Sequence, residues 1–447
     1  MALAFGIVLY LLGALVALGL PEYYIPVEYW HVRTHIDFVP QRFPTQLLAL
    51  WTFATVPWLI VVYRQKAAVR ISALVLPVLS ACLLAVWVKP PHTHDLYVYL
   101  GQGRQLMLGV NPYLTTLREC MFDPVIASIS KTWFDQPSLY GPLILLLGAT
   151  ANFLGPGWGL IGLGRILKAF WFIPYGLWAR IGWRHWSSHH DRNLIVLAIF
   201  ANPVLIFQVF VEGHADLAMV AFICATGMLL QEGRSIAAGI ALSVAACIKM
   251  TALVVFPPCA CWLFRRQPRE ALKFASCFLC LYFLSHALFG GGEWFNVAQF
   301  NKTWSALWIA GIVPRLLLLL GFNNGAFVHH VSDACFYATV AILCIRLLLG
   351  KMTSGPFLPM ALTLAALVTT RTHVQSWYYL WFWSMLWMSS KNLKYLLVSI
   401  GLWTAAALHT MMYIWWYSTP YVMTLLFAAD LWWLRHTRIK TGTANES

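Results

Sequence analysis

Residues 71–88, ISALVLPVLSACLLAVWV, carry no charged side chain, and after Lys89 the chain continues at once into residues 90–113, PPHTHDLYVYLGQGRQLMLGVNPY. An apolar run of that length crosses a bilayer as a helix, because in hydrocarbon every backbone N–H and C=O must be satisfied within the segment. Asp95 therefore lies within a few residues of a membrane face. A carboxylate there is costly unless it has a partner or a task.

The rest of the chain repeats the pattern. Of its 447 residues 60% are hydrophobic, 15% aromatic and only 10% charged, too little polar surface to cover a soluble globule of that size. The repeated apolar runs are separated by short loops bearing Arg or Lys, which indicates helices rather than the alternating strands of a barrel. The expected fold is an all-α polytopic membrane protein with about fourteen spans. They fall near 1–20, 45–63, 69–88, 158–182, 194–212, 214–231, 236–249, 251–264, 272–290, 331–349, 357–372, 377–390, 393–413 and 417–434. Residues 1–20 lack a basic leading region and a small-residue cleavage site, so they read as a retained span rather than a signal peptide. One integral-membrane domain, 1–447, is expected, built from an N-terminal helical extension (1–68), a core (69–290) with an outer loop at 89–157, and a C-terminal helical module (291–447) with an outer loop at 291–330. No 20–50-residue period and no dinucleotide or P-loop fingerprint is present.

Charge sets the orientation. The loops with Arg64 and Lys66, Arg184 and Arg192, Arg234, Arg265, Arg266 and Arg269, Lys351, Lys391 and Lys394, and the tail with Arg435, Arg438 and Lys440 fall on one side, which the positive-inside rule makes cytoplasmic, together with both termini. The loops 89–157 and 291–330 and the polar turns at 213–216 and 371–373 then lie outside. The apolar run 140–154 is short and ends in Gly-Pro-Gly; crossing the bilayer there would invert every later loop, so it is expected to lie in the outer interface. The formal charge of +14 is scattered singly between spans, which argues against a nucleic-acid partner. Ten cysteines show no metal-like spacing, and neither a disulfide nor a zinc site is expected.

The polar residues left over collect on the outer face. Asp95, preceded by His94 and followed by Tyr99 and Arg104, is placed where a carboxylate would act as a general base toward an alcohol, or would cap an interfacial helix. Asn111 with Tyr113, and Tyr140, mark turns whose aromatics would stack on a sugar ring or simply shape the loop. Glu212-Gly213-His214-Ala215-Asp216 sets three ionisable groups in one short turn between spans, where Asp216 would orient a basic partner and His214 would donate to a phosphate. An N-cap is the alternative for that turn, and a metal site completed by His92 or His94 is specified by no ligand spacing. Arg165, Lys168, Lys249 and Arg371 are cations in the outer halves of spans, suited to a lipid-linked phosphate unless they snorkel to the interface. Lys249 sits where the short spans 236–249 and 251–264 meet. His373, Trp377 and Tyr378 follow Arg371 in a further outer turn. The doublets His189-His190 and His329-His330 read as solvated.

Taken in order, DLYVYLGQGR (95–104), GVNPY (109–113), LYGPL (139–143), GHAD (213–216), IKMTA (248–252) and SWY (376–378) resemble the GT-C superfamily of integral-membrane glycosyltransferases, above all bacterial polyprenyl-phosphate-mannose-dependent mannosyltransferases. The resemblance covers roughly residues 69–390. It implies a helical core whose first outer loop carries a catalytic acid, with Asp95 matching that acid, Asp216 the acid of the next motif and Lys249 a basic residue near the donor phosphate. Ala215 stands where such enzymes often carry Asn, and Ser376 where Pro often precedes Trp-Tyr.

The function so implied is inverting transfer of a hexose, mannose by the resemblance, from a polyprenyl-phosphate donor to a glycan or lipid-linked acceptor. It would take place on the extracytoplasmic face of a bacterial inner membrane, with Asp95, Asp216 and His373 as the catalytic candidates. A lipid-anchored donor needs no nucleotide site, and a phosphate that ionises near neutral pH leaves a metal non-obligatory. The competing classes are a multi-helix transporter or flippase, which should show internal repetition and mid-span polar residues, and a glycan polymerase or ligase using a lipid-linked donor.

Overall fold

The computed structural model describes residues 2–19, 42–65, 71–88, 90, 95–129, 134–189, 191–289, 313, 316–317, 320–322, 324–352, 355–370, 378–390, 392–412 and 429. These residues are helical or in turns, with no strand among them, as the all-α reading requires. His92, His94, Arg371, His373 and Trp377, most of the loop 291–330 and nearly all of the span 417–434 lie outside the described residues. The chain clusters into two compact units. The first holds Met1–Phe222, Ser243–Met250 and Cys280–Val297; the second holds Ile223–Leu242, Thr251–Leu279 and Ala298–Ser447.

In the first unit α1 (Ala2–Gly19), α2 (Arg42–Gln65) and α3 (Ile71–Trp87) take the expected apolar runs. Tyr10 of α1 packs between Trp51 and Trp58 of α2, with ring centroids 5.6 and 4.8 Å away. Gly6 and Gly13 permit the approach, since a Cβ on either would lie 2.9 Å from Trp58 or Trp51. The opposite faces carry Phe53, Leu76 and Trp87, each more than 60% exposed. In water such a surface would be an aggregation hazard, whereas in a bilayer it faces lipid. Thr52 and Thr55 donate their hydroxyls to carbonyls one turn back, so no polar group of theirs meets hydrocarbon unpaired.

Then come α4 (Asp95–Met107), a short α5 (Pro124–Ala127), α6 (Pro142–Leu154), α7 (Gly159–Phe170) and α8 (Phe172–His185). The expected span 158–182 is thus built from two helices that together make one 27-residue apolar stretch, Gly159–His185. The expected span 194–212 is not straight. It divides into α9 (Arg192–Phe200) and α10 (Pro203–Ile206), and the halves bend by 45°. Pro203 cannot donate to the preceding turn, and Asn202 caps the new helix by accepting from the Val204 N–H. α10 runs on into a π-helical turn at Phe207–Val211.

Further along, α11 (Asp216–Gln231) and α12 (Ser235–Ile248) precede a 3₁₀ turn at Met250–Val255, α13 (Phe256–Arg266) and α14 (Pro268–Phe289). After residue 324 come α15 (Gly325–Leu348), α16 (Phe357–Thr370), α17 (Tyr379–Ser389) and α18 (Leu393–Met412). Within the second unit Phe256 stacks on Phe274 and Phe278, α13 packs on α15, and α16 packs on α17. Trp387 of α17 donates to the Ser399 hydroxyl of α18. Among the described residues, Gln46–Arg64, Gly159–His185, Pro268–Phe289 and Phe327–Leu348 are long and apolar enough to cross a membrane alone, and the bent pair passes the same test only when its halves are taken together. The expected spans 1–20, 69–88, 214–231, 236–249, 357–372 and 393–413 appear as shorter apolar helices, and 251–264 and 377–390 as helices of 11 residues, Phe256–Arg266 and Tyr379–Ser389.

Candidate functional site

Within the first unit the site grows from two short stretches that fold against each other. α4 begins at Asp95, and its first turn meets the loop that ends the π-helical turn. Gly213 makes the junction: its φ of +76° is a left-handed conformation, and a Cβ there would lie 2.7 Å from Cδ1 of Leu96. The Glu212-to-Asp216 turn is thereby pressed onto α4. His214 Nδ1 stands 3.5 Å from Asp95 Oδ2. The Ala215 N–H points at the Tyr99 hydroxyl, 3.5 Å away.

Burial marks the cluster. Glu212, His214 and Asp216 are 1 to 2% exposed, and Asp95 is 9% exposed. Carboxylates at that depth need compensation. Asp216 has it in Lys249, whose Nζ lies 2.9 Å from Oδ1. α11 starts at Asp216 and α12 ends just before Lys249, so the two helices return the chain to its starting point. Burial pushes the Tyr99 phenol well above its ordinary pKa, and the carboxylates of Asp95 and Asp216 push it further. Tyr99 is therefore a neutral hydroxyl between two acids. Burial likewise raises Tyr97, with Glu212 adding to the shift and Arg165 opposing it.

The sides come from the first loop. The Tyr99 and Tyr140 rings meet edge to face at 4.5 Å, and the Tyr113 hydroxyl donates to the Tyr140 carbonyl at 3.0 Å. The Gly141 N–H donates to the Ile248 carbonyl at 3.0 Å, and a Cβ on Gly141 would lie 2.1 Å from the Cys247 carbonyl oxygen. That contact sets Tyr140 beside the chain leading to Lys249. α6 crosses α4 where Gly103 and Gly148 face each other: a Cβ on Gly148 would lie 2.2 Å from the Tyr99 carbonyl oxygen. Asn152 fastens the crossing by donating to the Leu100 carbonyl at 2.9 Å.

Asp95, Tyr99, Tyr113, Tyr140, His214, Asp216 and Lys249 are thus linked by a chain of contacts. Arg104 turns away to Asp123, 2.9 Å off, which also caps α5. Asn111 accepts from the Tyr113 N–H at 2.9 Å and shapes its turn. Arg165 and Lys168 meet the end of α3: Arg165 donates to the Trp87 carbonyl at 3.2 Å and lies 4.4 Å over the Trp87 ring, and buried Lys168 donates to the Val88 carbonyl. Cations there complement the negative end of the helix dipole. Tyr378 belongs to the second unit, where its ring stacks on Trp381 at 4.4 Å. The sequence reading left Glu212 out of the candidate set, although it stands in the same turn and is the most deeply buried carboxylate of the group with Asp216. Among the described residues no three His, Cys, Asp or Glu side chains gather as metal ligands.

These residues lie in a region with known relatives. The profile of the family described as alpha-(1->6)-mannopyranosyltransferase, N-terminal domain, matches residues 4–265. Alpha-(1->6)-mannopyranosyltransferase A of Corynebacterium glutamicum is 32% identical over 178 residues, which is 38% of this chain and 35% of the relative. Its Mycobacterium tuberculosis namesake is 27% identical over 204 residues, 43% of this chain and 36% of the relative. The matches thus span about a third of the length of these curated relatives. No solved structure matches.

Proposed function

Because the chain belongs to the alpha-(1->6)-mannopyranosyltransferase family whose N-terminal domain it carries, we propose that it transfers mannose from a polyprenyl-phosphate donor to a glycan or lipid-linked acceptor, on the extracytoplasmic face of an inner membrane. The observation that carries the reading is the pairing of Asp95 with His214 beside the Asp216–Lys249 ion pair, all pressed together by Gly213.

In this reading Asp95 is the general base. As the acceptor oxygen attacks the anomeric carbon its proton passes to the Asp95 carboxylate, the bond from that carbon to the phosphate oxygen breaks, and the electron pair leaves with polyprenyl phosphate. The reaction so drawn balances without a further reactant. His214, with Nδ1 3.5 Å from Oδ2, is placed to steady the charge on that carboxylate. Lys249 faces the departing phosphate, and Asp216 fixes the ammonium and sets its direction. Arg165 and Lys168 anchor the end of α3, from which the chain sets out toward Asp95. Tyr99, Tyr113 and Tyr140 offer ring faces and hydroxyls to a sugar. Should the bond formed be alpha, as in the relatives' names, inversion demands a beta-linked donor.

The test is mannose transfer from polyprenyl-phosphate-mannose by purified wild type and Asp95→Asn at matched thermal stability. Loss of the proton acceptor should lower turnover by roughly 100-fold or more. An Asn caps a helix about as well as Asp, so rates within a few-fold of each other would reduce Asp95 to a cap and overturn the reading.

A further inference from the structure

The second unit holds a basic recess that the transfer reaction does not use. It encloses about 260 Å³ and is lined by Trp262, Arg265, Arg266, Leu347 and Met352, with no acid among them. Its position is fixed by the ends of two helices long and apolar enough to cross a membrane. α15 closes at Leu348 and α14 opens at Pro268, directly after the arginines at the end of α13. Where those helices cross a bilayer, the recess falls at the depth of lipid headgroups.

The arginines are held in place. α15 ends in a turn where the Lys351 N–H donates to the Arg346 carbonyl at 2.9 Å and the Gly350 N–H to the Leu347 carbonyl at 3.0 Å, with Gly350 at φ +70°. This closure leaves the Leu348 carbonyl over, and Arg265 donates to it at 3.4 Å. The Arg265 guanidinium lies against the Gly350 backbone, where a Cβ would fall 2.2 Å from Nη2. Among the described residues the Leu348 carbonyl takes one donor of a guanidinium that carries five. Arg266 stands 4.1 Å over the Trp262 ring, which orients a second guanidinium beside the first. Arg269, Arg346 and Lys351 add like charge nearby in the chain, and the neighbouring acid, Glu270, is paired with Lys273 at 2.7 Å.

We propose that this recess binds the phosphate of an anionic phospholipid, the two guanidiniums forking the phosphate oxygens while the acyl chains lie along the helices. Paired arginines match phosphate geometry better than any other side chains. Apolar surface favours a lipid over a soluble phosphate: Phe264, Leu348 and Leu349, beside the lining residues in sequence, are 44 to 60% exposed. Basic pockets between spans on the cytoplasmic side suit such headgroups, and the loops that carry Arg265 and Lys351 are those the charge bias places inside.

Native mass spectrometry of the full chain, delipidated and titrated with phosphatidylglycerol, phosphatidylcholine or glycerol phosphate, tests the proposal. Wild type should retain phosphatidylglycerol about tenfold or more over phosphatidylcholine, and R265Q/R266Q should lose that preference, since each interfacial arginine contributes on the order of a several-fold factor. Should the double variant fail to fold, Met352→Glu brings a negative charge to the lining, leaves the Arg265 contact to α15 in place, and should abolish retention equally. Unchanged preference in the variant that folds overturns the site. Retention of glycerol phosphate as strong as that of phosphatidylglycerol would show a soluble anion as the ligand and overturn the lipid assignment. Mannose transfer plays no part in the readout, so the outcome is independent of the reading of Asp95.

Discussion

Lys249 Nζ lies 2.9 Å from Asp216 Oδ1, although the two residues are 33 positions apart in the chain. Asp216 is 2% exposed at its side chain and Lys249 13%, so the ion pair is formed largely out of water. Removing one member leaves a buried charge without its ion-pair partner, whereas removing both removes the two charges together.

A double-mutant cycle therefore separates architecture from chemistry. Asp216→Ala should destabilise the protein by about 3–5 kcal/mol, and Asp216→Leu with Lys249→Met should recover most of that. Transfer should stay low in both if Lys249 faces the donor phosphate. Thermal unfolding in detergent and transfer rates measured side by side decide it, and recovery of both properties in the double variant would leave the pair a purely structural one.

The glycine crossing of α4 and α6 should tolerate nothing larger. In Gly103→Ala the new Cβ would lie 2.2 Å from the Ala149 nitrogen, so the helices must part, at a cost of about 1–3 kcal/mol or more, and Tyr99 moves with α4. Gly176→Ala on α8 meets nothing within 4 Å and should gain slightly from the lost backbone freedom. Melting temperatures of the two variants should move in opposite directions.

Membrane sidedness can be read directly. Phe122, 73% exposed in the first loop, becomes a good labelling site as Phe122→Cys, and exposed Ser188 serves the loop after α8 as Ser188→Cys. In a background without other reactive thiols, an impermeant maleimide added to whole cells should modify the first and spare the second. The reverse pattern would move the Asp95 site to the cytoplasmic face.

Two exposed carboxylates give the first loop a defined acid limit. The Arg118 hydrogen bond holds Asp135 below the ordinary Asp range, and the Thr116 N–H and hydroxyl do the same for Glu119. Depressed folded values mean that the stabilisation is present above the unfolded pKa values of about 3.9 and 4.3, and is lost as pH falls through the lower folded ones. Hydrogen exchange across residues 116–129 should be unaffected by these two groups between pH 7 and 5, and protection should fall below about pH 3.9. Asp135→Asn should remove part of that acid dependence.

The fold was readable where chemistry is local. A run such as 268–289 declares itself by length and apolarity, and most helix ends match the expected spans to within a few residues; α15 begins six residues earlier than 331, where Asn324 caps it, and α13 begins five later than 251, after a 3₁₀ turn. The bend at Asn202-Pro203 was legible in principle, since that pair is a break signal, yet the apolar run on both sides masks it. The Asp95 stretch and the 212–216 turn declared themselves because ionisable groups at a membrane boundary need a reason. Their meeting did not, because it depends on Gly213 touching Leu96 across more than a hundred residues. Lys168 and Arg165 were the least legible, as nothing local says that a cation ends another helix some 80 residues earlier.

The π-helical turn at 207–211 has the geometry of a helix holding one residue more than its ladder needs: the Glu212 N–H reaches back five residues to the Phe207 carbonyl, and the His214 N–H six to that of Gln208. Excising a single residue there would let the ladder close in α-helical register and turn everything beyond it by about 100° around the axis. His214 would then swing off Asp95, and Asp216 off Lys249, with no side chain of the site altered. The phase of this polar turn is thus encoded by chain length, a quantity that a comparison of aligned residues overlooks and a deletion scan would expose.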